Sequence, residues 1–428
     1  MNTQQYRQQD RQALWHPYSR HSRMATQAFP VITGGAGAFL MDSDGRHYLD
    51  AISSWWACNL GHGHPRLIKA IQRQAAELQQ SMLGDMTHPR AIELAARLAD
   101  LCGAQGRRVF FASDGASAVE AALKIAVQYW YNRGQPQRQR FLSLEGAYHG
   151  DTLGAVAVGY QPGFHQPFRQ LLFPVHRVPA PFCAACQWQP TCQHQCLAAL
   201  ERMLSQHAPE IAAMIVEPLC QCAAGMRIYR PDCLGQLAAL CRRHGVLLIA
   251  DEVAVGWGRT GSLLAFMQAG IEPDIICLGK GLSGGYLPLS ATVVQQELFE
   301  SFTDQPADHT FYHGHTFAGN PLAAAAALEM LRIYDDERIV ARAWRLGEII
   351  ARAWPPLAEL PGVSRVRHLG MIAALDLVAA HGQSAAQRAA ALRDCLLKRG
   401  ILIRPLGEVV YLMPPLIIDE QALRVLIA

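Results

Sequence analysis

VLLIADEV (Val246–Val253), followed one strand later by DIICLGKGLSGG (Asp274–Gly285), decides the fold. Both begin as short continuous apolar runs, the pattern of strands buried on two faces. Similar runs recur at Arg108–Ser113, Arg140–Glu145, Ala212–Pro218 and Leu289–Val294. Helical patterns lie between them, such as Ser117–Asn132 and Asp232–His244. This alternation predicts an α/β protein with a mainly parallel central sheet covered by helices. The flanks read differently. Residues 1–60 hold GAFLMDSDG and HYLDAISSWW, with a turn signal at Asp44-Gly45. After Pro321 come a long Ala-rich helix, then MIAALDLV and ILIRPLGEVVYLMPP, two strand regions with a turn at Gly407. The expected organisation is a large domain over 61–320 and a smaller α+β domain made from 1–60 and 321–428.

The chemistry sits where the apolar runs end. Asp251 closes one strand, and open α/β sheets build their sites at the carboxyl edge. Taken alone, such an acid can equally cap a helix. Lys280 follows the next strand among Gly279, Gly281, Gly284 and Gly285, small neighbours that let a ligand come close. Taken alone, it reads as a solvated loop lysine. Together, one βαβ step apart, they are what pyridoxal phosphate chemistry requires. The lysine forms a Schiff base with the aldehyde, and the aspartate keeps the pyridine nitrogen protonated. Ser113–Ser117 lies at a strand-to-helix junction, where backbone N–H groups suit a phosphate. Tyr148 follows the next strand and can cover a ring face, or serve as a structural tyrosine.

Composition sets the bounds. The chain has 428 residues, half of them apolar, and a formal charge of only +3. That excludes disordered and coiled-coil classes and gives no reason to expect nucleic acid as a partner. The start, MNTQQYRQQDRQ, lacks an apolar signal core, and no stretch reaches the length of a membrane span. A cytoplasmic protein is expected. The last residues fall inside a helical pattern, so the natural chain is expected to run on.

Six motifs in order, SDGASAVEAALK, GAYHGDT, IVEP, IADEVAVGWGRTG, CLGKGLSGG and HTFAGNPLA, make the sequence resemble the class III aminotransferases of the fold-type I family. WHPYSR (Trp15–Arg20), SSWWA (Ser53–Ala57) and IRPLGEVVYLMPP (Ile403–Pro415) narrow the resemblance to one branch. That branch aminates 8-amino-7-oxononanoate in biotin synthesis, with S-adenosylmethionine as donor and ping-pong kinetics. The resemblance implies roles. Lys280 carries pyridoxal 5'-phosphate and moves the proton, with Asp251 and Tyr148 as its catalytic companions at the ring. Gly115 and Ala116 give amides to the phosphate, and Thr316 reaches the phosphate of a neighbouring subunit in a homodimer with shared active sites. Tyr18, Trp55 and Trp56 wall the substrate pocket, with Gly314 and His315 at its rim, and Arg404 holds the acceptor carboxylate. Two positions depart from the pattern: Ala116 stands where members often carry Ser, and His315 where this branch carries Pro. Another ω-aminotransferase using lysine or a further amine is the rival enzyme. A metal-binding interaction protein on an inactive scaffold is the rival of a different class.

One motif falls outside that reading. Cys183, Cys186, Cys192 and Cys196 read Cys-x2-Cys-x5-Cys-x3-Cys in a Pro-containing loop. Four thiols so spaced can ligate zinc or an iron–sulfur cluster. Unligated thiols or a redox disulfide are the alternatives. The other eight cysteines, Cys233 among them, read as small buried hydrophobes.

Overall fold

The computed structural model describes residues 2–103, 106–185, 193–305 and 307–428. Seven strands form the central sheet: β1 (Arg108–Ala112), β2 (Arg140–Leu144), β3 (Val175–Val178), β4 (Ile211–Val216), β5 (Leu247–Asp251), β6 (Ile275–Leu278) and β7 (Ser290–Val294). Their spatial order is β1-β7-β6-β5-β4-β2-β3. All neighbours are parallel except β7, which runs antiparallel to β6 and β1. Every residue of β4, β5, β6 and β7 is buried, as the unbroken apolar runs predict.

β3 escapes the sequence reading. VHRV has two adjacent polar residues between its valines and occupies the sheet edge, where only Val178 is fully buried. The Cys183 segment therefore starts just past an edge strand.

Two helices matter for the site: α1 (Gly115–Asn132) and α2 (Pro231–Arg243). Asp114 caps α1, its carboxylate accepting from the Ser117 amide at 2.9 Å. Ala118, Ala122 and Ala126 then lie flat against the sheet with no exposed area. A larger side chain there would overpack the contact, at about 1–3 kcal/mol. The Ala-rich stretch forms the helix Pro321–Asp336, buried along most of its length.

The chain ends build two smaller sheets. Ile32–Ala36, Phe39–Asp42 and His47–Asp50 pair with Ile401–Leu402, so both termini share one sheet. Val363–Leu369, Ile372–Leu377 and Val409–Leu412 form the other. The two strands flanking Gly407 thus belong to different sheets and are not a hairpin. No helix among the described residues is long and apolar enough to cross a membrane.

Candidate active site

Five strand ends meet at one edge. β5 delivers Asp251, the loop after β6 delivers Lys280, and β1 leads into Asp114 and Gly115. β2 leads to Tyr148 and His149, and β4 to Glu217. β7 arrives in the opposite direction, and its Ser290 hydroxyl donates to the Asp114 carbonyl at 2.6 Å, pinning the β1 turn.

Lys280 is half-buried. Burial lowers the pKa of its amine, while Asp251, Cys222 and Glu217 pull the other way. The net shift is downward, which raises the neutral, nucleophilic fraction. Its Nζ lies 5.2 Å from the centre of the Trp56 ring. Asp251 is only 4% exposed, so its contacts decide its state. One carboxylate oxygen accepts from the Val253 amide at 3.1 Å. The other meets His149 Nδ1 at 2.7 Å.

His149 and Glu217 are the functional residues that sequence reasoning missed. Both stand inside quoted motifs, GAYHGDT and IVEP, but neither spacing nor composition gives them a task. Glu217 is buried and accepts from the amides of Tyr148 at 3.1 Å and Cys222 at 2.9 Å. Burial pushes its pKa up to about 7.

The phosphate junction can be tested against the structure. Asp114 occupies the Ser117 amide, so the N–H groups of Gly115 and Ala116 remain, with no partner among the described residues. Two unsatisfied donors at the positive end of an 18-residue helix suit a dianion. A Cβ on Gly115 would fall 2.6 Å from Val253 Cγ1, so only glycine keeps this turn against the loop after β5. Together with half-buried Lys280 and buried Asp251, these donors fit a pyridoxal phosphate.

The flank holds the aromatic residues. Ser53, Ser54, Trp55 and Trp56 all have positive φ, at 49°, 44°, 70° and 73°. This is one left-handed turn of L-residues. The buried Asp50 holds it, its carboxylate accepting from the Ile52 amide at 3.1 Å, the Ser54 amide at 2.7 Å and the Ser54 hydroxyl at 3.0 Å. The Ser53 hydroxyl donates to Met413 at 2.8 Å. The turn sends Trp56 inward and Trp55 outward. Trp56 is buried, its indole N–H donating to the Tyr411 hydroxyl at 3.2 Å. Trp55 is partly open, with Tyr18 edge-on at 5.9 Å and the Arg404 guanidinium 4.1 Å above its ring. Arg404 meets no carboxylate at ion-pair distance among the described residues. The Tyr18 and Tyr148 hydroxyls both donate to Asp151, and Tyr148 stacks on His165 at 6.3 Å. Burial, then the Asp151 bond, pushes the Tyr18 pKa up to about 12.

Gly314, His315 and Thr316 lie apart from this group. They occupy a loop before the Pro321 helix, where Gly314 and Thr316 are exposed. The Thr316 carbonyl accepts from Gln80 at 2.7 Å, and the His315 ring meets His313 edge-on at 5.2 Å. Of the four spaced cysteines, Cys186 and Cys192 lie outside the described residues.

A lysine and an aspartate at adjacent strand ends, with two open helix-terminal amides beside them, have the arrangement that pyridoxal phosphate requires. The model of the family "Aminotransferase class-III" matches residues 20–428, and the chain belongs to that family of enzymes. Its relatives narrow the comparison. Adenosylmethionine-8-amino-7-oxononanoate aminotransferase of Geobacter sulfurreducens is 39% identical, covering 100% of this chain and 96% of its own. The protein of that name from Synechococcus elongatus is 43% identical over 94% of this chain and 93% of its own. The crystal structure of adenosylmethionine-8-amino-7-oxononanoate aminotransferase from Methanocaldococcus jannaschii superposes with a TM-score of 0.93 at 34% identity, covering 100% of this chain and 97% of that one. The chain has the fold-type I architecture and is a pyridoxal-phosphate-dependent transaminase.

Proposed function

We propose that this enzyme moves an amino group from S-adenosylmethionine to 8-amino-7-oxononanoate, giving the 7,8-diamine of biotin synthesis. The names of full-length relatives support this reading. The observation that carries it is Arg404, a guanidinium held on the face of Trp55 beside Tyr18 with no carboxylate of its own. A planar fork without an internal partner suits the carboxylate of a long apolar acid, and the aromatic walls suit its chain.

Pyridoxal phosphate, when bound, supplies the electron sink that makes the carbon beside the amine acidic. The protein does the rest. Gly115 and Ala116 hold the phosphate with their amides. Asp251 would face the ring nitrogen, and His149 fixes its carboxylate from the other oxygen. Lys280 takes a proton from the amine-bearing carbon of the donor and later returns one to the acceptor carbon, base then acid. Trp56 and the buried strand ends exclude water around Lys280. Donor and acceptor occupy the pocket in turn, so ping-pong kinetics follow. Thr316, exposed in one chain, completes the phosphate end of a neighbouring subunit's site in a homodimer, with Gly314 and His315 at the rim of the substrate pocket.

The test is product formation. Enzyme, S-adenosylmethionine and 8-amino-7-oxononanoate should yield 7,8-diaminononanoate by mass spectrometry, and lysine in place of S-adenosylmethionine should not. Turnover with lysine alone would assign the enzyme to the rival donor class.

A further inference from the structure

The segment between β3 and β4 carries chemistry that amino transfer does not use. Cys183 opens a single 3-10 turn, Cys183–Ala185, just past β3. Cys196 sits in a second, Gln195–Leu197. The first turn of α2 brings Asp232 and Cys233 to the same place. Cys233 is buried in the core, as its sequence reading expects, and also faces this segment.

The contacts are those of a ligand cluster. Cys183 and Cys233 share a sulfur–sulfur hydrogen bond, and Cys196 lies close enough for its charge to oppose ionisation of Cys233. One ligand atom each from His194, Asp232 and Cys233 lies within 4.8 Å of the others. His194 adopts a left-handed backbone, φ 61° and ψ 30°, which costs a residue with a side chain and points to a local demand. Its buried Nε2 makes no well-aligned hydrogen bond among the described residues and stands 3.3 Å from Asp232 Oδ2.

A tetrahedral zinc with bonds of about 2.0–2.3 Å sets its ligand atoms about 3.3–3.8 Å apart. His194 and Cys233 already lie within 4.8 Å of each other, and Cys183 is hydrogen-bonded to Cys233, so small side-chain rotations bring these three to that spacing, with Cys196 on the adjoining turn as the fourth.

We propose that Cys183, Cys196, Cys233 and His194 form a structural zinc site that ties the segment after β3 to the start of α2. Asp232, ion-paired with Arg230, stands outside as the carboxylate that orients the imidazole. Arg230 also offsets the net charge of three thiolates on one divalent ion. The ligand set differs from the one that spacing alone suggests. Its third sulfur comes from a helix distant in sequence, while Cys186 and Cys192 lie outside the described residues. The site contains neither Lys280 nor Asp251 and takes no part in amino transfer.

Elemental analysis of holoenzyme purified without chelators tests this. About one zinc per chain is expected, as a closed four-ligand site binds a single ion. Cys233→Ser and Cys196→Ser should bring zinc close to zero and lower thermal stability, while the visible cofactor absorbance persists. If those variants fail to fold, cobalt(II) exchanged into the wild-type holoenzyme should show intense tetrahedral d–d bands and sulfur-to-cobalt charge transfer. Zinc absent from the wild type, zinc undiminished in Cys233→Ser, cobalt bands without sulfur charge transfer, or a disulfide between Cys183 and Cys233 would each overturn the assignment.

Discussion

Asp50→Asn should loosen the left-handed Ser53–Trp56 turn and blunt recognition of the acceptor. A left-handed residue costs about 1–2 kcal/mol, so four cost about 4–8 kcal/mol. Three donors inside the turn reach the Asp50 carboxylate, and at about 1.5–3 kcal/mol each they return a comparable 4.5–9 kcal/mol. The turn exists because Asp50 offsets its strain. An amide keeps the oxygen facing Ile52 but turns N–H groups toward the Ser54 amide and hydroxyl. The bond from the Ser54 amide is lost, about 1.5–3 kcal/mol, while the Ser54 hydroxyl can turn to accept. Local opening should then rise on the order of 10–10²-fold. Hydrogen exchange reads this at the Trp56 and Ala57 amides, bonded to Ile52 and Ser53 at 2.8 and 3.0 Å. The acceptor KM should climb because Arg404 rests on Trp55, while the donor half-reaction changes less. A second readout comes from His62, whose Nε2 lies 2.9 Å from Asp50. Burial would lower its pKa, but hydrogen bonds to Asp50 and Cys58 lift it to about 9. A raised histidine stabilises the fold fully below its unfolded pKa of 6.5, and that contribution fades as pH rises through about 9. Asp50→Asn should flatten this dependence. Unchanged exchange at Trp56 with an unchanged acceptor KM would refute the reasoning.

Other substitutions probe the remaining parts. Lys280→Ala should abolish transamination and shift the visible cofactor absorbance, and full turnover in that variant would remove Lys280 from the chemistry. Arg404→Ala should cost about 2–5 kcal/mol of acceptor binding, a KM rise on the order of 10²-fold, because a desolvated carboxylate loses its charged partner; an unaltered KM makes Arg404 structural. His149→Ala leaves a buried oxygen of Asp251 unpaired, at about 1–3 kcal/mol, so cofactor affinity should fall while the acceptor KM holds; equal cofactor affinity would deny His149 its positioning role. Mixing refolded Lys280→Ala and Thr316→Ala chains should restore activity that neither has alone, since one mixed dimer carries one intact site. No recovery on mixing would place Thr316 within its own subunit.

Much of this was legible in the sequence, for physical reasons. Strands β4–β7 announce themselves because both faces are buried and nearly every position is apolar. β3 does not, because an edge strand may keep His176 and Arg177 half-exposed. Asp251 and Lys280 could be read because they end such strands. His149 could not, since its task depends on β2 and β5 being separated only by β4 in the sheet, a long-range fact. The SSWW turn was quoted for its tryptophans, yet their opposite directions follow from four positive φ values that spacing does not encode. Cys233 joins Cys183 only through the packing of α2, so counting cysteines along the chain selects a different set.

The central claim is the substrate pair, and the two half-reactions test it most directly. Holoenzyme mixed with S-adenosylmethionine alone should lose its visible cofactor absorbance in a single turnover, and 8-amino-7-oxononanoate added after removal of the donor should restore it with release of the diamine. Absorbance that S-adenosylmethionine leaves untouched while lysine bleaches it, or that 8-amino-7-oxononanoate fails to restore, would contradict the account.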